Sequence, residues 1–137
     1  MTKQEAIAKF LECEVDDLRE EGNFYGLDVF DGYAVATDDE ADQACKENIK
    51  DSVWAFNASF ILDECGLDFS GEDSLKAMQE KSCESANDFI LSLIEKTCGL
   101  DSFVEAAISA DGRGHFLSSY DGQEVELEGG FFAYRID

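Results

Sequence analysis

The chain has 137 residues, with 32 Asp and Glu against 10 Lys and Arg, for a formal net charge of -22 at pH 7. That balance excludes direct nucleic-acid binding, because phosphates require basic patches, and an anionic membrane surface would repel it. Hydrophobic residues at 45% and aromatics at 12%, with 11 Phe, exclude a disordered acidic tail, so residues 1–137 are read as a single domain with one core.

Thr2 and Glu5 form a capping-box pattern ahead of Ile7, Phe10 and Leu11 at helical spacing, which predicts a helix to about Cys13. Val15 and Leu18 are read as a further helical turn ending at Gly22. Phe24–Phe30 and Tyr33–Thr37 are β-rich runs separated by Asp31-Gly32, a hairpin signal because both turn positions need positive φ. Thr37 or Asp38 then caps a helix whose first turn holds Asp38, Asp39 and Glu40, favourable at the positive end of the helix dipole, and whose spacing continues to Phe56. Further helices are expected over Ala58–Cys65, over Ser70–Gln79 and Ser82–Cys98 as two helices or one bent one, and from Asp101 or Ser102 to about Ala110. Asp111 to Gly122 reads as turn chemistry. Gln123–Glu128 alternates polar and apolar, Gly129-Gly130 turns, and Phe131–Ile136 returns as a second hairpin. The expected fold is α+β: an N-terminal helix, a hairpin, several central helices and a C-terminal hairpin, the two hairpins forming one antiparallel sheet packed on helices.

The acids fall into groups. Glu12, Glu14, Asp16, Asp17, Glu20 and Glu21 crowd the first helical region; Asp38, Asp39, Glu40, Asp42, Glu47 and Asp51 line the long helix; Glu124, Glu126 and Glu128 share one face of a strand. Carboxylates three or four apart on a helix sit about 5–6 Å apart at Cβ, and a DNA duplex carries one charge per about 1.7 Å of axis. A surface studded this way can present a phosphate-like potential to a basic cleft. The same acids serve solubility alone in an ordinary acidic protein, and salt adaptation gives a similar excess.

Other chemistry is thinly represented. Cys13, Cys45, Cys65, Cys83 and Cys98 have irregular spacing and no C-x-x-C pair, and one His cannot complete a zinc site, so they read as reduced thiols filling helix faces. Asp68 to Gln79 fails the calcium-loop pattern, lacking Gly at the sixth place and Glu at the twelfth. No cofactor or metal is expected. His115 gathers with Asp111, Asp121, Ser118 and Ser119, but the spacing matches neither a nucleophile elbow nor a phosphate loop. In the simpler reading Arg113 pairs with a carboxylate and His115 holds the connection by a hydrogen bond. Phe131, Phe132 and Tyr134 are expected mainly in the core. No run approaches the length of a membrane span and no leader pattern opens the chain, which points to the cytoplasm.

Tyr33-Ala34-Val35-Ala36-Thr37-Asp38-Asp39-Glu40-Ala41-Asp42-Gln43-Ala44, with Asp111-Gly112-Arg113-Gly114-His115, Ser118, Tyr120-Asp121-Gly122 and the closing Tyr134-Arg135-Ile136, resembles small acidic proteins encoded by phages and prophages. The resemblance implies origin rather than a mechanism. By charge, such proteins are similar to DNA-mimic antagonists of restriction and CRISPR defence. The resulting expectation is a non-enzymatic inhibitor that engages a basic nucleic-acid-binding protein through the three acidic groups. The alternative is an acidic phage accessory protein that self-associates through its last hairpin.

Overall fold

Helix α1 (Lys3–Leu11) starts where its capping box places it: the Glu5 N–H donates to Thr2 Oγ1 at 3.1 Å and the Thr2 N–H donates to Glu5 Oε1 at 3.2 Å. It ends at Glu12, a non-glycine residue in the left-handed region at φ 57°. The computed structural model describes residues 1–137, and the fold is α+β. The chain forms two compact units, one from residues 1–48 with 111–137 and the other from residues 49–110.

In the first unit the chain after α1 departs from the helical expectation. Only a single 3-10 turn forms, Val15–Asp17, and Glu20 and Glu21 lie on a strand, β1 (Glu20–Phe24). The cause lies at Tyr25-Gly26, whose φ values of 50° and 82° match those of Asp31-Gly32 at 48° and 82°. Both pairs make two-residue turns of the kind that joins twisted antiparallel strands. The expected single run Phe24–Phe30 is therefore the end of β1, a turn, and β2 (Leu27–Phe30), with Phe24 opposite Leu27. β1 was hidden because Glu-Glu-Gly-Asn-Phe has no apolar alternation; its first four residues are all exposed.

β3 (Tyr33–Thr37) follows Asp31-Gly32 and pairs with β2, Val29 opposite Ala34. It also pairs antiparallel with the last strand, β5 (Phe131–Arg135), Val35 opposite Ala133. β4 (Val125–Leu127) reaches β5 through the Gly129-Gly130 turn, both at positive φ. The result is one five-stranded antiparallel sheet in the order β1-β2-β3-β5-β4, so the two hairpins do join into one sheet. On the α1 side the core gathers Ala6 and Ile7 with Phe30, Val35, Leu127 and Ala133, flanked by Leu11, Leu18, Tyr33, Val125 and Phe131. Alternation turns Ala34, Ala36, Phe132 and Tyr134 to the other face, where Tyr134 is fully buried.

Thr37 opens α2 (Asp38–Ser52) with a second reciprocal cap, Thr37 N–H to Glu40 Oε1 at 2.9 Å and Glu40 N–H to Thr37 Oγ1 at 3.3 Å. The helix stops at Ser52, short of the expected Phe56, and becomes a 3-10 turn over Val53–Ala55. Side chains satisfy the backbone groups that this break frees: Asn87 accepts from Trp54 N–H at 3.2 Å, and Gln79 Nε2 donates to the Trp54 and Phe56 carbonyls at 2.9 and 2.7 Å. The second unit continues with α3 (Ala58–Glu64), α4 (Glu72–Ser82), α5 (Asn87–Lys96) and most of α6 (Leu100–Asp111). Ile61, Ile90, Ile94 and Phe103 are fully buried there, with the Phe103 ring 5.6 Å from Phe56 and 5.4 Å from Phe60.

Back in the first unit, the segment expected to be turns alone contains a short helix, α7 (Arg113–Leu117). Gly112, at φ 83°, sets its direction before Arg113 begins it.

Candidate functional surface

The first unit holds 20 Asp and Glu against 6 Lys and Arg; the second holds 12 against 4. The placement of those few cations decides which carboxylates are neutralised within the fold.

Arg113 is the main hub. α7 places its guanidinium at 2.8 Å from Asp38 Oδ1 and 3.1 Å from Asp42 Oδ1, one turn apart on α2, and at 2.7 Å from Glu124 Oε1 just before β4. It also donates to the Asp38 carbonyl at 3.1 Å and stacks 4.7 Å from the centre of the Phe132 ring. Its side chain is only 11% exposed. Burial disfavours the charge on Arg113, but the bonds to Glu124 and Asp38 outweigh it and hold the guanidinium firmly protonated. Glu124 also accepts from the Tyr134 hydroxyl, and burial with that carboxylate nearby raises the Tyr134 pKa. Cys45 lies in the same group, its thiol pushed up to about 12, chiefly by burial.

Lys3 serves Glu40 at 2.9 Å and Asp28 at 3.4 Å, Lys9 pairs with Glu128 in the turn after β4, and Arg19 meets Asp31 at 3.4 Å. Glu21 accepts from Gly32 N–H at 2.6 Å and Glu47 from Gln43 Nε2 at 3.2 Å. These acids are used inside the fold. By contrast, Glu12, Glu14, Asp16, Asp17, Glu20, Asp39, Asp51 and Glu126 are exposed and have no ion pair.

The three groups expected from the sequence thus meet different fates. The first stays open except for Glu21. In the second, Asp38, Glu40 and Asp42 are neutralised in the first unit, while Asp51 falls in the second unit. In the third, only Glu126 lies within β4; Glu124 and Glu128 flank the strand and are tied to Arg113 and Lys9. Pairing of Arg113 with a carboxylate was legible in the sequence, but not that three acids converge on it.

The His115 neighbourhood does not assemble a relay. His115 is exposed and stands edge-on to Phe116, while Asp121 is taken by Ser118 Oγ at 2.8 Å and Gln123 N–H at 3.0 Å. The Ser118 bond, followed by the backbone bond from Gln123, holds the Asp121 carboxyl below its usual range. The connection is held by Ser118 and Asp121, not by a His115 hydrogen bond. All five cysteines are free; Cys45 and Cys65 are buried, but Cys83 is exposed at φ 49° in the 3-10 turn after α4, not on a helix face. No group of three or more His, Cys, Asp and Glu is arranged to hold a metal ion. No helix is long and apolar enough to cross a membrane.

Two expectations follow. Arg113→Met removes the hub and leaves three carboxylates facing one another. It should cost about 2 kcal/mol of unfolding free energy, below the 3–5 typical of a buried pair because Asp38 and Asp42 are largely solvated. Urea unfolding would measure it, and adding Glu124→Gln should restore part of the loss. Glu40 gives the second. The Thr37 N–H bond, with help from Lys3, lowers its pKa below 4.5. A carboxyl lowered in the folded state contributes stability that is present above its unfolded pKa and lost as pH falls through the folded one. The share of unfolding free energy that Glu40 contributes should therefore fade as pH drops below about 4.5, and Glu40→Gln should lower stability at neutral pH and remove that share from a pH series of urea titrations.

The chain matches no protein-family model, no curated protein and no solved structure. The fold and surface define a small acidic α+β protein in whose first unit Lys3, Lys9, Arg19 and Arg113 pair with Asp28, Asp31, Asp38, Glu40, Asp42, Glu124 and Glu128, leaving Glu12, Glu14, Asp16, Asp17 and Glu20 without ion pairs.

Proposed function

We propose that this is a phage-type, non-enzymatic inhibitor of the cytoplasm that binds a basic nucleic-acid-binding protein, such as a restriction or CRISPR component, by presenting nucleic-acid-like charge. The observation that carries the reading is the unequal use of its carboxylates. Glu12, Glu14, Asp16 and Asp17 are exposed without counter-ions within six residues, while Asp28, Asp38, Glu40, Asp42, Glu124 and Glu128 of the same unit are paired with Lys3, Arg113 or Lys9. Asp16 and Asp17 are neighbours in the 3-10 turn, which rises about 2 Å per residue, close to the about 1.7 Å per charge of a duplex. Leaving these acids unpaired raises self-repulsion, and a cationic partner relieves it. The partner also gains the counter-ion release and steering that DNA would supply.

The self-associating alternative through the last hairpin has less support. Tyr134 is buried, Phe131 and Phe132 are half-buried, and the β4 edge carries an exposed Glu126 that would face its own copy.

The test is affinity capture from a bacterial lysate at low salt, with parallel elution by a salt step and by excess duplex DNA, followed by mass spectrometry. Recovery of one basic nuclease or CRISPR component in both eluates supports the proposal. Polycations eluted by salt but not by DNA contradict it.

A further inference from the structure

The sheet has two edges, and they are treated differently. β4 is three residues long, and the carboxylates at its two ends are tied to Arg113 and Lys9. β1 is five residues long and pairs on one side only, with β2; its outer side faces no strand. Glu20, Glu21, Gly22 and Asn23 are all exposed. One end of this edge is continuous with Glu14, Asp16 and Asp17, which have no counter-ions; the other carries Tyr25, 38% exposed, packed edge-on against Phe24 at 4.9 Å.

An unpaired strand edge offers a row of backbone donors and acceptors to any extended chain. Natural sheets commonly discourage this with charge and with bulges, and β1 has both: its register shifts between Glu20 and Asn23. Charge discriminates, however, rather than simply blocking. A neutral or acidic strand must bring its backbone beside the uncompensated Glu20 and the Glu14, Asp16 and Asp17 that precede it, whereas a Lys- or Arg-rich strand is attracted to all four and can pair with Glu20 across the strands. Arg19, whose side chain is 81% exposed and pairs weakly with Asp31 at 3.4 Å, is the sole cation within residues 12–24.

We infer that β1 is a docking edge that takes an extended, Lys- or Arg-rich segment of the basic partner as a sixth, added strand. The inference rests on the proposed binding of a basic protein and states how it is engaged: backbone pairing fixes register along Glu20–Phe24, and the acids of residues 14–20 select for positive charge.

The experiment uses the whole protein and two synthetic peptides, capped at both ends, each about eight residues long or roughly 27 Å when extended. One alternates Lys and Val. The other is the same sequence N-methylated at every second backbone nitrogen, which keeps the charge but removes the donors of one edge. Affinity is read by calorimetry at low salt, and amide hydrogen exchange is followed over residues 20–24. Strand addition predicts at least tenfold weaker binding of the methylated peptide and slowed exchange in β1 with the plain peptide only. Equal binding of both peptides without slowed exchange in β1 overturns strand addition and leaves a charge-only basic partner standing. Failure of both to bind overturns strand addition and the basic-partner reading together.

Discussion

Replacing Glu12, Glu14, Asp16 and Asp17 together by Gln and Asn is expected to weaken partner binding by about 10- to 100-fold while raising the melting temperature. The two effects share one cause. None of these side chains holds an ion pair, and Glu14, although it precedes the 3-10 turn, makes no side-chain capping bond. Their removal therefore leaves no buried group unsatisfied and deletes only repulsion within a unit of 20 acids and 6 basic residues. In a complex the same four charges account for several screened contacts, and losing them should reduce the salt dependence as well as the affinity. Calorimetry or fluorescence anisotropy at two salt concentrations, beside a thermal melt of each protein, measures both. A variant that binds as well as the parent would locate the interaction elsewhere; one that melts lower would mean these acids hold structure.

The second large effect is expected at Gly114. A Cβ built there lies 2.5 Å from the Gly122 carbonyl oxygen, 2.7 Å from the Gln123 carbonyl carbon and 2.8 Å from the Glu124 nitrogen. All three are backbone atoms and cannot swing aside. Gly114→Ala must push α7 away from the segment leading into β4, and that shift separates Arg113 from Glu124. A loss of about 3 kcal/mol is expected, the sum of overpacking and a weakened charged hub. Urea titration checks the size. Retention of the fold with an unchanged midpoint would show that α7 and the 122–124 segment do not meet so closely. Gly112→Ala makes a useful comparison: nothing lies within 4 Å of a Cβ there, and its cost should come from the backbone conformation alone, φ 83° with ψ 156°, about 1–3 kcal/mol.

Elements with a local chemical signal were readable in the sequence. Thr2 with Glu5 and Thr37 with Glu40 are caps that work within one turn, and Asp31-Gly32 and Gly129-Gly130 between β-rich runs favour the positive-φ turns found there. β1 lacked such a signal. An edge strand exposed along most of its length has no buried face to impose alternation, and the density of acids around it looks like a helical surface. The end of α2 at Ser52 was also hidden, because the break is stabilised by Asn87 and Gln79, distant in sequence. Division of the acids into neutralised and free depends on the same kind of long-range information. Arg113 lies 75 residues from Asp38 and 11 from Glu124, so no local pattern joins them.

The proposed function requires that this protein and nucleic acid compete for one basic surface. It is tested most directly by titrating the protein into the captured partner already holding a fluorescent DNA duplex, at several salt concentrations. Full displacement of the duplex is expected, with affinity that falls steeply as salt rises and the Glu12, Glu14, Asp16 and Asp17 variant at least tenfold poorer. A ternary complex in which the partner holds duplex and protein together would contradict it, as would displacement indifferent to salt.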